Sequence, residues 1–181
     1  MIVRAATPED AEGLVAIYGH HVLNGLGTFE ETPPIAGEME RRRAGIAARG
    51  LPYVVAEEDG GLLGFAYAGP FRPRAAYRYT VEDSVYVAPR AVGRGVGRAM
   101  LAAVIEACEG MGVRQMVAVI GDSGNAASIG LHRSLGFTDA GVGTALGFKH
   151  GRWVDIVWMQ KALNGGGATE PIGPGIDLSD R

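Results

Sequence analysis

The chain reads as one mixed α/β domain whose central sheet cannot be purely parallel. Three observations predict this. Apolar periodicity runs in the order strand, helix, helix, three strands, helix, strand, helix, two strands, and strands that follow one another through short turns pair antiparallel. The chain has 181 residues, 47% of them hydrophobic, enough for one domain to bury a core without staples. Its 29 glycines have no three-residue period, which excludes collagen and leaves turns, caps and close backbone approaches as their uses.

Each element carries its own signal. Met1-Ile2-Val3-Arg4 enters a strand directly, without a signal-peptide pattern, and no run of about 18 apolar residues follows, so a soluble chain with no membrane span is expected. Thr7-Pro8-Glu9-Asp10 reads as a helix start in which Thr7 caps, Pro8 takes the first helical position and Asp10 closes a capping box. Leu14, Val15, Tyr18 and Val22 then share one face. A second helix is predicted over 37–49, with Arg41-Arg42-Arg43 on a solvated face. The apolar runs 53–56 and 62–68 flank Glu58-Asp59-Gly60-Gly61, a hairpin turn sequence. An arginine-rich loop at 70–78 leads into a strand over 79–87 that stops at Pro89.

Within 97–111, Met100, Leu101, Val104, Ile105 and Cys108 recur at helical spacing, which makes Cys108 a core residue rather than a nucleophile. As the single cysteine it forms no internal disulfide, and a cytoplasmic setting is expected. A strand over 115–120, a helix over 126–135 closed by Gly136, and strands over 138–148 and 153–161 complete a domain of residues 1–163. The remainder, 164–181, lacks periodic apolar spacing and is expected to be a disordered tail.

Charge excludes some partners. The formal net charge of −3 disfavours nucleic acid, although the chain holds fifteen arginines against two lysines. His20, His21 and His150 accompany no cysteine or paired carboxylate, so no metal site is expected.

One turn draws the eye chemically. Arg90-Ala91-Val92-Gly93-Arg94-Gly95-Val96-Gly97-Arg98 joins a strand to a helix, where free backbone N–H groups and the helix dipole favour an anion. It fails as a P-loop, having Arg98-Ala99 where Lys-Ser/Thr is needed, and as a dinucleotide fingerprint, having Arg98 where a small residue is needed. Taken alone it suits a plain tight connection as well as a phosphate site.

With its neighbours it says more. Arg90-x-x-Gly93-x-Gly95 after Val85-Tyr86-Val87 resembles the acetyl-CoA pyrophosphate loop of the GNAT acetyltransferase superfamily. Four further segments, 66–70, 80–87, 117–121 and 147–153, resemble the phosphinothricin N-acetyltransferases and their methionine sulfone and methionine sulfoximine acetyltransferase relatives. The likeness runs from about Ile2 to Lys161 and leaves out the tail.

The resemblance implies a GNAT fold, with the sheet splayed at the acetyl-CoA site and helices on both faces. It implies cofactor contacts at Val85, Tyr86, Val87, Gly93, Arg94, Gly95, Val96, Gly97, Arg98, Asn125 and Ser128, with main-chain groups of Val85 and Val87 along the pantetheine arm. Acetyl transfer needs a neutral amine, so a base must take a proton, and Glu82 stands at the family's catalytic glutamate. The departing thiol needs a proton as well. Many GNAT enzymes carry a tyrosine four residues before the Gly-Phe that ends this helix; here His132 precedes Gly136-Phe137, a departure shared with the phosphinothricin-type subgroup. His132 is therefore expected as the acid or as the partner of Glu82, and it shares a helical face with Asn125 and Ser128. Arg72, Arg74, Tyr77 and Phe29 are the expected substrate residues, the guanidinium forks suiting the anionic oxygens of an amino acid analogue. A homodimer reached through the strand around Trp153 and Ile156 is implied too. Acetylation of another amine, such as a polyamine or a protein N-terminus, and a non-catalytic CoA-binding regulator remain open as alternatives.

Overall fold

The structure, a computed structural model, describes residues 1–179. Among these, seven strands form one sheet in the order β1-β2-β3-β4-β5-β7-β6. The strands are β1 (Ile2–Ala5), β2 (Tyr53–Glu58), β3 (Gly61–Pro70), β4 (Thr80–Val87), β5 (Gln115–Gly121), β6 (Thr138–Lys149) and β7 (Arg152–Ala162). The helices are α1 (Ala11–Asn24), α2 (Ala36–Ala47), α3 (Val96–Gly110) and α4 (Ala126–Ser134). β4 and β5 run parallel, and every other neighbouring pair is antiparallel. No helix among the described residues is long and apolar enough to cross a membrane.

Local chemistry sets these boundaries. The Thr7 N–H donates to the Asp10 carboxylate at 2.8 Å, and Pro8–Asp10 forms a single 3-10 turn that feeds α1. Asp59 and Gly60, both at positive φ, turn the β2–β3 hairpin. Asn125 caps α4 by accepting from the Ser128 N–H at 3.1 Å, and Gly136 at φ 87° leads the chain out of it. The β6–β7 hairpin closes on His150-Gly151, both in the left-handed region. Lys149, one residue past the strand expected over 138–148, ends β6, fully buried, with its ammonium donating to the Thr28 carbonyl at 2.7 Å.

The helices sandwich the sheet. One face carries an aromatic layer, Tyr53, Phe65, Tyr67 and Tyr86, stacked across β2, β3 and β4, with Tyr18 of α1 edge-on at 4.9 Å from Tyr86. The opposite face receives Met100, Leu101, Val104 and Cys108 of α3, all fully buried. Burial pushes the Cys108 thiol up to about 12, as suits a core cysteine. In the arginine run, Arg42 pairs with Glu30 and Glu38 and Arg43 with Glu40, so this helix face is cross-linked rather than merely solvated.

The expected disordered tail is instead docked through residue 179. Arg114, buried, donates to the carbonyls of Gly166, Thr169 and Glu170, and Ile176 sits in the core at 8% exposure. Composition misled here because the anchors are arginines and single apolar residues rather than a periodic face. Asp180 and Arg181, also part of that expectation, lie outside the described residues.

Candidate active site

The sheet opens where its one parallel pair fails. β4 and β5 pair from Thr80↔Gln115 to Asp83↔Ala118 and then diverge, leaving residues 84–87 and 119–121 facing each other without a ladder. A cavity of about 610 Å³ fills the opening, walled by Val85, Val87, Gly95, Gly97, Ser128 and His132 among others. Alternation fixes which backbone groups face it. The Ala88 N–H bonds to the Leu63 carbonyl on β3, so Val87 and Val85 direct their main-chain groups the other way, towards the gap. The Val87 carbonyl accepts from His21 Nε2 at 2.9 Å, which ties α1 to the cavity wall.

The glycine-rich turn fits an anionic ligand. Gly93 and Gly95 have φ of 80° and 77°, and a Cβ built on either meets nothing within 4 Å, so backbone alone faces the open side. Gly97 differs. Its added Cβ would lie 3.3 Å from Leu131 and 3.4 Å from Val87, so this glycine lets α3 approach α4 and β4 closely. The α3 N-terminus, with Val96, Gly97 and Arg98, lines the cavity, whereas Arg94 turns away to Glu58 at 2.6 Å.

His132 lies in the cavity wall, but its partner is Asp83 and not Glu82. Its Nε2 stands 3.0 Å from Asp83 Oδ2, and its Nδ1 stands 2.7 Å from the Ser128 carbonyl. A strand sends consecutive side chains to opposite faces, and α4 packs on the face that Asp83 occupies. A carbonyl only accepts, so Nδ1 carries a proton, and the contact between Nε2 and Asp83 Oδ2 is bridged by one further proton shared between ring and carboxyl. Burial alone would lower the histidine's pKa; the Asp83 bond and charge, with the Ser128 carbonyl, outweigh it and raise it. Both partners are almost fully buried, and among the described residues Asp83 Oδ1 has no hydrogen-bond partner.

Glu82 points to the face of the aromatic layer. It is half-buried, and burial pushes its carboxyl above the usual range; the Arg72 charge pulls it back and the Asp83 charge pushes it further up. Beside it the loop 71–78 is compact. The Arg72 guanidinium lies 4.5 Å over the Phe71 ring, Phe71 meets Tyr77 edge-on at 5.6 Å, and Arg72, Arg74 and Tyr77 are exposed.

Of the residues expected at the cofactor, all but Arg94 line the cavity, whereas Glu82, Phe29, Arg72, Arg74 and Tyr77 do not. Phe29 packs directly on Gly147, where any side chain would collide with its ring. Sequence reading missed Asp83, His21 and the 25–27 segment. That segment lies against the end of β5, and a Cβ on Gly121 would run into the Leu26 carbonyl. Only the parity of β4 signals Asp83, and only once Glu82's face is known. Among the described residues no group of three or more His, Cys, Asp or Glu could hold a metal ion.

A sheet splayed beside a glycine-rich helix N-terminus defines an acyl-CoA-dependent acetyltransferase fold, and residues 21–137 match the acetyltransferase (GNAT) family. The chain belongs to that family. It is an acetyl-CoA-dependent N-acetyltransferase, and its relatives narrow the type. It is 54% identical over 169 residues, 93% of this chain and 86% of the relative, to the phosphinothricin N-acetyltransferase of Alcaligenes faecalis. It is 43% identical to the L-methionine sulfoximine/L-methionine sulfone acetyltransferase of Pseudomonas paraeruginosa, over 90% of this chain and 94% of that one. The crystal structure of a phosphinothricin acetyltransferase from Sinorhizobium meliloti in complex with acetyl-CoA superposes with a TM-score of 0.91 at 47% identity, covering 94% of this chain and 92% of that one.

Proposed function

We propose that the protein acetylates the α-amino group of small amino acid analogues, of the phosphinothricin, methionine sulfone and methionine sulfoximine kind, by direct transfer from acetyl-CoA. The observation that carries this reading is Glu82, a half-buried carboxylate of raised pKa beside Arg72, one residue away from the cavity wall. Such a group takes a proton from an ammonium more readily than an ordinary glutamate does. Glu82 takes one proton from the ammonium directly or through water, the neutral nitrogen bonds to the thioester carbonyl carbon, and as the C–S bond breaks a second proton from that nitrogen passes to the departing sulfur, directly or through water, so that CoA leaves as the thiol. Gly93, Gly95 and the α3 N-terminus suit the pyrophosphate, and main-chain groups of Val85 and Val87 suit the pantetheine arm. The buried Cys108, with its thiol pushed up to about 12, supports transfer without an acetyl-enzyme.

Arg72, Arg74, Tyr77 and Phe29 are the proposed substrate contacts. His132, with both ring nitrogens committed, fits a fixed part of the wall better than a mobile proton carrier. The working unit is proposed to be a homodimer meeting through exposed apolar residues of β6 and β7.

One assay tests the reading. Free thiol is followed with acetyl-CoA and phosphinothricin, methionine sulfone, methionine sulfoximine or a polyamine. Release is expected with the three amino acid analogues, and Arg74→Ala is expected to raise KM for them by about tenfold with little change for acetyl-CoA. Release with the polyamine alone would move the function to another amine, and no release at all would favour a CoA-binding regulator.

A further inference from the structure

We propose that residues 164–179 are a positioning strap for the arginine loop 71–78, so that amino acid binding depends on Ile176 while acetyl-CoA binding does not. The inference rests on the proposed reading of that loop as the substrate site.

The segment is built into the domain at one end and reaches the loop at the other. After β7, Asn164 donates to the carbonyls of Glu109 and Val113 at 2.9 and 3.1 Å. Arg114 then commits its whole guanidinium to it, reaching Gly166, Thr169 and Glu170 carbonyls and the Thr169 hydroxyl. Undocking would strand a buried guanidinium, so this end is fixed. The strap next crosses the beginning of β4, where the Tyr79 hydroxyl donates to the Gly173 carbonyl at 2.6 Å. The Ile176 N–H donates to the Arg78 carbonyl at 2.7 Å, and its side chain is buried. Gly175, at φ 76°, passes so close that an added Cβ would lie 2.7 Å from that same carbonyl. Arg49 secures the far end by donating to the Asp177 and Ser179 carbonyls.

Arg78 is the joint through which this matters. It ends the loop that carries Arg72, Arg74 and Tyr77, and it lies four residues before Glu82. Inside the loop, Tyr77 N–H bonds to the Arg74 carbonyl and both the N–H and the guanidinium of Arg78 bond to the Ala75 carbonyl. These bonds tie the second half of the loop to Arg78. Loop and strap also face each other across a cavity of about 540 Å³ lined by Pro73, Ala75, Pro174 and Leu178. No part of the strap lines the acetyl-CoA cavity.

Steady-state kinetics on the full chain tests this with methionine sulfone and acetyl-CoA. Ile176→Ser is expected to raise KM for methionine sulfone about tenfold, with kcat and KM for acetyl-CoA within about twofold, and Ile176→Val to restore it. Hydrogen exchange read without substrate should quicken at the Tyr77 and Arg78 amides of Ile176→Ser and not at Val104. Should Ile176→Ser fail to fold, Tyr79→Phe removes one strap bond and no packing, and the same split at about threefold is expected. Both KM values moving together, or neither moving in a folded variant, overturns the strap. Arg74→Ala separates the two ideas: if it leaves KM for methionine sulfone unchanged, the substrate loop falls and takes the strap with it; if it raises KM while Ile176→Ser does not, the strap alone falls.

Discussion

Glu82 and Asp83 are consecutive carboxylates on β4, and the two-residue period of a strand gives them different surroundings. Glu82 meets the aromatic layer and the Arg72 charge; Asp83 meets the His132 ring. A carboxylate with a raised pKa in the folded state is disfavoured there once ionised, so it subtracts stability as pH rises above its unfolded value. Glu82→Gln should therefore lower turnover by at least about tenfold and also raise Tm at pH 7, with both effects fading towards low pH, where Glu82 is protonated. A pH–rate profile beside a melting curve checks this, and turnover close to that of the parent protein removes Glu82 from the mechanism. The pH slope has the same direction for His132, although its contribution is favourable rather than unfavourable. Its raised pKa adds stability below the unfolded value, and that contribution is lost as pH rises through the folded value. Glu82 was singled out by its motif. The Asp83–His132 pair was not, because a motif records order along the chain while the pairing depends on which side of the sheet α4 packs.

At the scale of elements, strands and helices were legible nearly to their ends, since period two and period 3.6 leave clear marks over six or more residues. What escaped were contacts between elements. The glycine turn read as three equivalent glycines, yet Gly93 and Gly95 free the backbone while Gly97 makes room for Leu131 and Val87. Ile156, expected at a subunit contact, is buried inside its own chain. Its neighbourhood still carries the proposed dimer surface, because Val142, Leu146, Phe148 and Trp153 are each more than half exposed along the edge pair β6–β7. Exposed apolar side chains on an edge strand invite pairing with another copy. Sedimentation equilibrium should give twice the chain mass, and Trp153→Asp should shift it towards one chain. A monomeric parent protein would end the dimer proposal.

Across the whole molecule, the two halves of the sheet, β1–β4 and β5–β7, share four residue pairs, Thr80–Asp83 with Gln115–Ala118. The buried Asp83–His132 pair stands at the last of them, and the C-terminal segment spans the same two strands at their other end. The overall architecture was readable because each strand announced itself. The docked terminus was not, because its holding groups, Arg114, Arg49 and Tyr79, belong to other parts of the chain.

The divergence of β4 from β5 has a thermodynamic consequence. A continuous sheet would fill that seam with backbone rungs; in the proposed placement of acetyl-CoA, its amide-bearing arm supplies them instead. Binding then knits the sheet together, and the folded state gains by mass action. At a hundred times its Kd, acetyl-CoA should add about 2.7 kcal/mol to unfolding free energy. The gain should register locally as slowed exchange of the Val85 amide, which faces the seam, while Tyr86, already bonded to β3, stays as it was. Equal exchange at Val85 with and without acetyl-CoA would mean that the seam stays open.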